Sequence, residues 1–405
     1  MFMMKNSFML AADEVLSDEQ TEIVTQAVHF VETSLQQDQK RIFVIEGGAG
    51  AGKSVVLLDI FKQIQEKNMQ QNQQSSHYLL VNHAEMLKIY RDYAGSQPLF
   101  KKNQFLKPTS FINQMDKGKA IADVVLIDEA HLLLTSPDRY NKFKQDNQLV
   151  EIIKHARVIV MVFDPKQVLK FKSMWNNQLL MRIIAPYHPV VEHLTKQYRM
   201  TGQSEAVVKW INQLTQDRQV AQLTAVKDFD FRVYNDATAM YQAIQERNQQ
   251  LGMSRILATT DYKYTVNRGT WYVTLDNFQL PWDQLDTGTT PWAMRPDTIN
   301  EVGSVYTIQG FDLNYAGVII GPSIQFDEQL QQLVIDPHLY EDKAAFRQLK
   351  GQSFNRQAKE ELMLHALEVL LKRGRYGLYL CIADRRLRRH ILKQVSSELC
   401  VSDNI

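Results

Sequence analysis

The residues from Gly47 to Ser54, Gly47-Gly48-Ala49-Gly50-Ala51-Gly52-Lys53-Ser54, have the composition of an anion cradle. Glycines let successive backbone N–H groups turn toward a phosphate without a Cβ in the way. The positive end of a following helix adds to that field. Lys53 is placed to reach β- and γ-phosphates, and the Ser54 hydroxyl to hold Mg²⁺. The stretch fits G-x-x-x-x-G-K-[ST]. Its flanks, apolar Ile42–Ile45 before and Val55–Leu58 after, supply the strand and helix that this motif needs. A bound nucleoside triphosphate with Mg²⁺ is the expectation.

A second group of residues could act on that ligand. The run Asp123-Val124-Val125-Leu126-Ile127 reads as a buried strand and ends in Asp128-Glu129-Ala130-His131. In a phosphate-loop enzyme an acid at such a strand end binds Mg²⁺ through water, and its neighbour polarises the attacking water. Asp128 is therefore expected at the metal with Ser54, and Glu129 as general base. The β-rich run Arg157–Phe163 ends in Asp164-Pro165-Lys166-Gln167, a turn that suits Gln167 to sit beside a γ-phosphate; a plain proline turn is the bland alternative. Arg199, in Gln197-Tyr198-Arg199, offers the planar fork that spreads over phosphoryl oxygens. Upstream, Ser17-Asp18-Glu19-Gln20 fits a capping box. Gln20 is equally placed to read adenine, and both readings stand.

Elements must hold these groups. Apolar positions Ile23, Ala27, Phe30, Val31 and Leu35 predict a helix over 17–38, followed by strand 41–46 and the helix of the phosphate loop. A polar stretch, Glu66–Ser76, then separates that helix from strand His77–Val81, and Ala84–Tyr93 reads as a helix. From Tyr90 to Phe111, rings (Tyr90, Tyr93, Phe100, Phe105, Phe111) alternate with Arg91, Lys101, Lys102 and Lys107. That is the make-up of a single-strand nucleic-acid track, or of a surface segment with its rings in the core. The second half resumes α/β alternation: strand 231–234, helix 236–251, strand 256–259. Tyr262–Trp292 is dense in aromatics and turns, and reads either as a β-rich insertion touching substrate or, preferred, as a long loop pinned by its own rings. Helix 362–371 and strand 377–383 follow. Between Lys372 and Lys393, basic residues face one acid, Asp384; the run is either a nucleic-acid-facing edge or a solvated terminal helix, the latter the commoner meaning.

Composition sets the outer limits. At 405 residues the chain is long enough for two to four domains at ~100–200 residues each. With 44% hydrophobic and 22% charged residues it can build full cores. A net charge of +1 excludes a uniformly basic nucleic-acid coat but not a local basic groove. Cys381 and Cys400 lack metal-ligand spacing, so neither zinc nor a disulfide framework is implied, and a reducing, cytoplasmic setting is expected. No apolar run approaches the ~18 residues of a membrane span, and the start resembles no secretory leader.

Taken in order, Gly47–Ser54, Asp128–His131, Asp164–Gln167, Gln197–Arg199, Thr307–Asp312 and Leu371–Arg375 resemble the motif series of superfamily 1 helicases. More narrowly, Val305-Tyr306-Thr307-Ile308-Gln309-Gly310-Phe311-Asp312 and Leu370-Leu371-Lys372-Arg373-Gly374 resemble the bacterial Schlafen-like DNA/RNA helicase domain family. The resemblance runs from about Leu16 to Asp384. It implies two RecA-like P-loop NTPase lobes, parallel sheets flanked by helices, with ATP between them. The lobes are expected at 1–215 and 216–405, the aromatic-rich insertion at about 262–300. Gln20 becomes the adenine reader, Arg199 and Arg373 become γ-phosphate contacts with Arg373 as arginine finger, and Gln309 and Gly310 couple nucleotide state to the strand. The pattern departs at Lys372, where the family has threonine. A nuclease domain sometimes precedes the ATPase in this family; none is expected ahead of Leu16, which reads as a bare motor. The partner implied is single-stranded or duplex nucleic acid, DNA or RNA. The competing reading is an ATP-driven switch that engages a protein partner, in phage defence or stress, without unwinding.

Overall fold

The computed structural model describes residues 16–48, 50–72, 74–139, 141–196, 204–265, 269–284, 288–308, 310–347 and 354–401. Two compact units divide the chain, 1–197 and 198–405, so the helix over 205–215 goes with the second.

In the first unit the elements run α1 (Asp18–Gln36), β1 (Arg41–Gly47), α2 (Lys53–Gln70), β2 (His77–Val81), α3 (Ala84–Ser96), β3 (Phe105–Leu106), α4 (Pro108–Gly118), β4 (Ala122–Asp128), α5 (Gln148–Lys154), β5 (Ala156–Phe163), α6 (Asn177–Ile184) and β6 (Val190–Leu194). The strands form one sheet in the order β3-β2-β4-β5-β1-β6, and every pairing is parallel. The sequence dictates this. Ile42–Ile45, Val124–Ile127 and Val158–Phe163 are unbroken apolar runs, buried throughout, as strands covered on both faces must be. The all-parallel order puts the carboxyl ends of β1, β4 and β5 along one edge. The expected capping box is present: Ser17 Oγ accepts from the Gln20 N–H, and Gln20 Oε1 accepts from the Ser17 N–H at 3.0 Å.

One expectation is corrected here, and one open alternative is decided. Helix α2 runs on to Gln70 instead of giving way at Glu66, because Glu66, Lys67, Met69 and Gln70 are good helix formers and Lys67 pairs with Glu32 of α1 at 2.6 Å. The aromatics of 90–111 form no stacking track. Tyr90, Phe100, Phe105 and Phe111 are buried, and Phe61 of α2 stacks on Phe100 at 5.4 Å while Phe105 stacks on Tyr90 at 5.8 Å. Burying four rings outweighs leaving them free to stack on bases; Lys101 and Lys102 are exposed, and Arg91 donates from Nε to the Phe105 carbonyl at 3.1 Å.

The second unit comprises α7 (Glu205–Thr215), β7 (Asp230–Tyr234), α8 (Ala237–Leu251), β8 (Ser254–Ala258), β9 (Tyr272–Leu275), β10 (Phe278–Pro281), β11 (Val302–Gly303), α9 (Val305–Ile308), β12 (Leu313–Ile320), β13 (Ile324–Asp327), β14 (Gln332–Ile335), α10 (Arg356–Leu371), β15 (Gly374–Ile382), α11 (Arg385–Gln394) and β16 (Cys400–Val401). Its main sheet, β11-β8-β12-β15-β7-β16, is again wholly parallel. Each unit thus has the RecA-like architecture of a parallel sheet flanked by helices. The aromatic segment carries a small antiparallel hairpin, β9–β10. Phe278, Trp282 and Trp292 are buried, with Trp282 against Tyr262 at 5.9 Å, so rings do pin the segment to the core, but the hairpin replaces the preferred plain loop over 272–281. The basic run ends in α11, capped by Asp384, with Arg385, Arg386, Arg389 and Lys393 exposed. Strand β15 starts three residues earlier than its apolar run, at Gly374, directly after Arg373. Its register against β12 shifts there, from Leu313↔Gly374 to Tyr315↔Gly377. Among the described residues no helix is long and apolar enough to cross a membrane.

Candidate nucleotide site

The carboxyl edge of the first sheet gathers the chemistry. Gly47 closes β1, and Gly50 and Gly52 take φ of 85° and 76°, a left-handed region that any Cβ would strain. Gly52 caps α2, so the loop delivers the chain straight into an 18-residue helix whose N-terminus faces the loop. Ala49 lies outside the described residues. Ala51 is buried, and its carbonyl accepts from Gln20 Nε2 at 3.4 Å. Gln20 therefore does two jobs: its oxygen completes the cap of α1 while its amide nitrogen reaches the phosphate loop.

Lys53 is nearly enclosed. Its ammonium donates to the carbonyls of Gly47 at 2.7 Å and Gly48 at 2.9 Å and lies 3.5 Å from Asp164 Oδ2. The cation is folded onto its own loop, with a carboxylate opposite. Burial pushes the Asp164 carboxyl up, but Lys53, then His131, and hydrogen bonds from Gln167 and the Lys166 N–H outweigh it and hold Asp164 below the ordinary carboxylate value. Gln167 Nε2 donates to Asp164 Oδ2 at 2.7 Å, so the turn after β5 brings Gln167 to the same cluster.

At the end of β4, Ser54 Oγ donates to Asp128 Oδ1 at 3.1 Å. The Glu129 N–H donates to the same oxygen at 3.0 Å, and Tyr90 Oη–H to Oδ2 at 2.6 Å. Burial and then the Glu129 charge push the Asp128 carboxyl above its ordinary range, and the three donors pull it part of the way back. Glu129 has φ 51° and ψ 51°, a left-handed conformation uncommon for a residue with a side chain. Its Oε2 lies 2.9 Å from Nε2 of the fully buried His131. A serine hydroxyl and one carboxylate are too few ligands to cage an ion. They are what Mg²⁺ uses when phosphate oxygens and water complete its octahedron, so the donor set fits Mg²⁺ bound with a triphosphate.

Of the expected residues, the fold brings Gln20, Gly47–Gly48, Gly50–Ser54, Asp128, Glu129 and Gln167 together in the first unit. Arg199 and Gln309 lie outside the described residues. In the second unit Gly310, with φ 81°, and Arg373 are neighbours: Arg373 Nη1 donates to the Phe311 carbonyl at 3.1 Å and Nε to Val369 at 2.9 Å, and the residue is 1% exposed. The departure at Lys372 has a structural explanation. Its ammonium pairs with Glu368 at 2.6 Å and donates to Asn212 at 2.7 Å, tying α10 to α7.

Neither Asp164 nor Tyr90 is assigned to this cluster from sequence, where Asp164 reads as part of the Gln167 turn and Tyr90 as a ring of the 90–111 segment. Asp164 carries the same signal as Asp128, an acid where a buried strand ends. Tyr90 has none, since its approach to Asp128 depends on how α3 packs.

Residues 40–384 match the family described as Schlafen group 3, DNA/RNA helicase domain. The uncharacterized protein YPL245W of Saccharomyces cerevisiae is 38% identical over 414 residues, spanning 93% of this chain and 90% of its own length. Among solved structures, the Pif1 helicase from Candida albicans aligns over 94% of this chain and 99% of its own at 12% identity and a TM-score of 0.36. A Pif1 structure determined for DNA unwinding at forked duplex DNA aligns over 96% and 95% at 10% identity and a TM-score of 0.33. The chain belongs to the Schlafen group 3 DNA/RNA helicase domain family.

Proposed function

We propose that this member of the Schlafen group 3 DNA/RNA helicase domain family is a nucleic-acid motor that hydrolyses ATP to ADP and phosphate at the carboxyl edge of its first sheet. The observation that carries the reading is the 3.1 Å hydrogen bond of Ser54 to Asp128, which joins the phosphate loop to the acidic strand end. Lys53 would exchange its loop carbonyls for β- and γ-phosphate oxygens, as a point charge. Ser54 and Asp128 would hold Mg²⁺, which when bound neutralises phosphate charge. Glu129 would take a proton from water as the water oxygen bonds to the γ-phosphorus and the bond to the bridging oxygen breaks. Gln167 would report the γ-phosphate through Asp164, and Gln20 would read the base. Arg199 and Arg373 would spread positive charge over the transferring phosphoryl group, which for Arg373 means leaving the carbonyls of Val369 and Phe311. Gln309 and Gly310 would relay nucleotide state to the grip on the strand.

The test is ATP turnover with and without single-stranded DNA, single-stranded RNA and duplexes, at several salt concentrations. Stimulation by a strand, weakening as salt rises, is expected. Turnover indifferent to every nucleic acid, with no salt-sensitive binding, overturns the motor reading.

A further inference from the structure

Tyr90 touches the candidate metal carboxylate from a helix that contributes nothing else to the cluster. It lies on α3, fully buried, its ring stacked on Phe105 at 5.8 Å. Its hydroxyl donates to Asp128 Oδ2 at 2.6 Å, the shortest of the three hydrogen bonds that this carboxylate accepts. The two oxygens are used differently. Oδ1 takes the Ser54 hydroxyl and the Glu129 N–H, the former from the residue that would share the metal. Oδ2 is committed to Tyr90. Ser54 can turn an oxygen lone pair to a cation while its hydroxyl hydrogen stays on Oδ1, and the Tyr90 bond to Oδ2 persists alongside it. The Glu129 N–H holds Oδ1 from the backbone, and the buried Tyr90 hydroxyl holds the other oxygen, so rotation of the carboxylate about its last single bond is restrained at both oxygens.

We propose that Tyr90 is a positioning residue for Mg²⁺: its hydroxyl, together with the Glu129 N–H, fixes the rotation of the Asp128 carboxylate so that Oδ1 is presented with Ser54 to the ion. The idea rests on the assignment of Ser54 and Asp128 to the metal. The ring also belongs to the cluster of Phe61, Phe100 and Phe105 that joins α2, α3 and β3. A shift of α3 would thus be felt at the metal carboxylate through one hydroxyl.

The test compares the wild-type chain, Tyr90→Phe and Phe100→Leu. Phe100→Leu perturbs the same ring cluster without touching the carboxylate. Equilibrium binding of a fluorescent ATP analogue is titrated with Mg²⁺, alongside the Mg²⁺ dependence of ATP turnover and thermal unfolding. Loss of an outer-shell partner typically costs 10–100-fold in metal affinity, so Tyr90→Phe should raise the Mg²⁺ half-saturation about tenfold or more, while Phe100→Leu lowers stability and leaves it in place. An unchanged Mg²⁺ requirement in a folded Tyr90→Phe protein overturns the proposal, as does an equal shift in both variants. If Tyr90→Phe does not fold, Tyr90→Leu is measured; if neither folds, the hydroxyl serves the fold and the proposal fails. Failure of the underlying assignment looks different: the wild-type chain would bind the analogue with no dependence on Mg²⁺.

Discussion

Glu129 and Gln167 show how residue type and local geometry combine. Both lie far beyond the phosphate loop in sequence, yet each follows a strand whose end lies on the same edge. Glu129 is held in a left-handed conformation with His131 against its carboxylate, an arrangement that aims the side chain and costs about 1–2 kcal/mol of backbone strain. If it is the general base, Glu129→Gln should keep ATP binding and slow hydrolysis by about 10²–10⁴-fold. Nucleotide affinity and single-turnover hydrolysis measured on the same preparation check this; an unaltered hydrolysis rate would remove Glu129 from the mechanism. The charge pair of Lys53 with Asp164 is what motif matching leaves unassigned: Asp164 stands within the Asp164–Gln167 motif, but its partner is set only by what stands opposite.

Strand β15 carries the argument at the scale of the element. The pattern Lys372-Arg373-Gly374-Arg375 reads as charge, but its glycine answers to packing. A Cβ on Gly374 would lie 2.0 Å from the Gly377 carbonyl oxygen, backbone against backbone, at the point where the register against β12 shifts. Gly374→Ala must therefore move the start of β15, and Arg373 with it. Overpacking of this kind costs about 1–3 kcal/mol, so a clear drop in thermal stability is expected. Gly48→Ala is the contrast: nothing lies within 4 Å of its Cβ, and the unfolding midpoint should hold. Equal midpoints for Gly374→Ala and the wild type would refute the packing account. Helices α7 and α10 make the same point by another route, since Lys372, out of pattern by family standards, bonds Glu368 and Asn212 and holds the two together.

For the molecule as a whole, pH dependence of stability is set by the carboxylates that folding buries. Asp261, just past the end of β8, is one. Burial raises its pKa from 3.8 to about 6, against hydrogen bonds from the N–H and hydroxyl of Ser323 and from Thr259. The sign follows directly. Between 3.8 and about 6 the unfolded chain has lost this proton and the folded chain has not, so the folded state binds more protons and stability falls as pH rises through that window. The contribution is on the order of 3 kcal/mol across the window. Asp123 and Asp164, held low, act with the opposite sign but equally in wild type and variant. Asp261→Asn cannot ionise and should lose this part of the slope. Unfolding midpoints of the two proteins, measured from pH 4 to pH 7, should therefore diverge; parallel curves would show that Asp261 is not buried in its neutral form.

What could be read from sequence alone was everything carried by local pattern. Unbroken apolar runs marked β1, β4 and β5; the Ser17–Gln20 spacing marked the cap of α1; the glycines, Lys53, Ser54 and the Asp128–Glu129 pair marked the site, because phosphate chemistry needs those residue types next to one another. Tertiary structure decided what depends on which way a side chain faces. The rings of 90–111 look the same in sequence whether they stack on bases or on each other, and burial against Phe61 settled it for the core. Tyr90 became a partner of Asp128, and Gln20 a contact of Ala51, only through the packing of α3 and α1 against the sheet. Spacing along a chain constrains neighbours within a turn or a strand; it is blind to contacts that parallel crossovers create between distant segments.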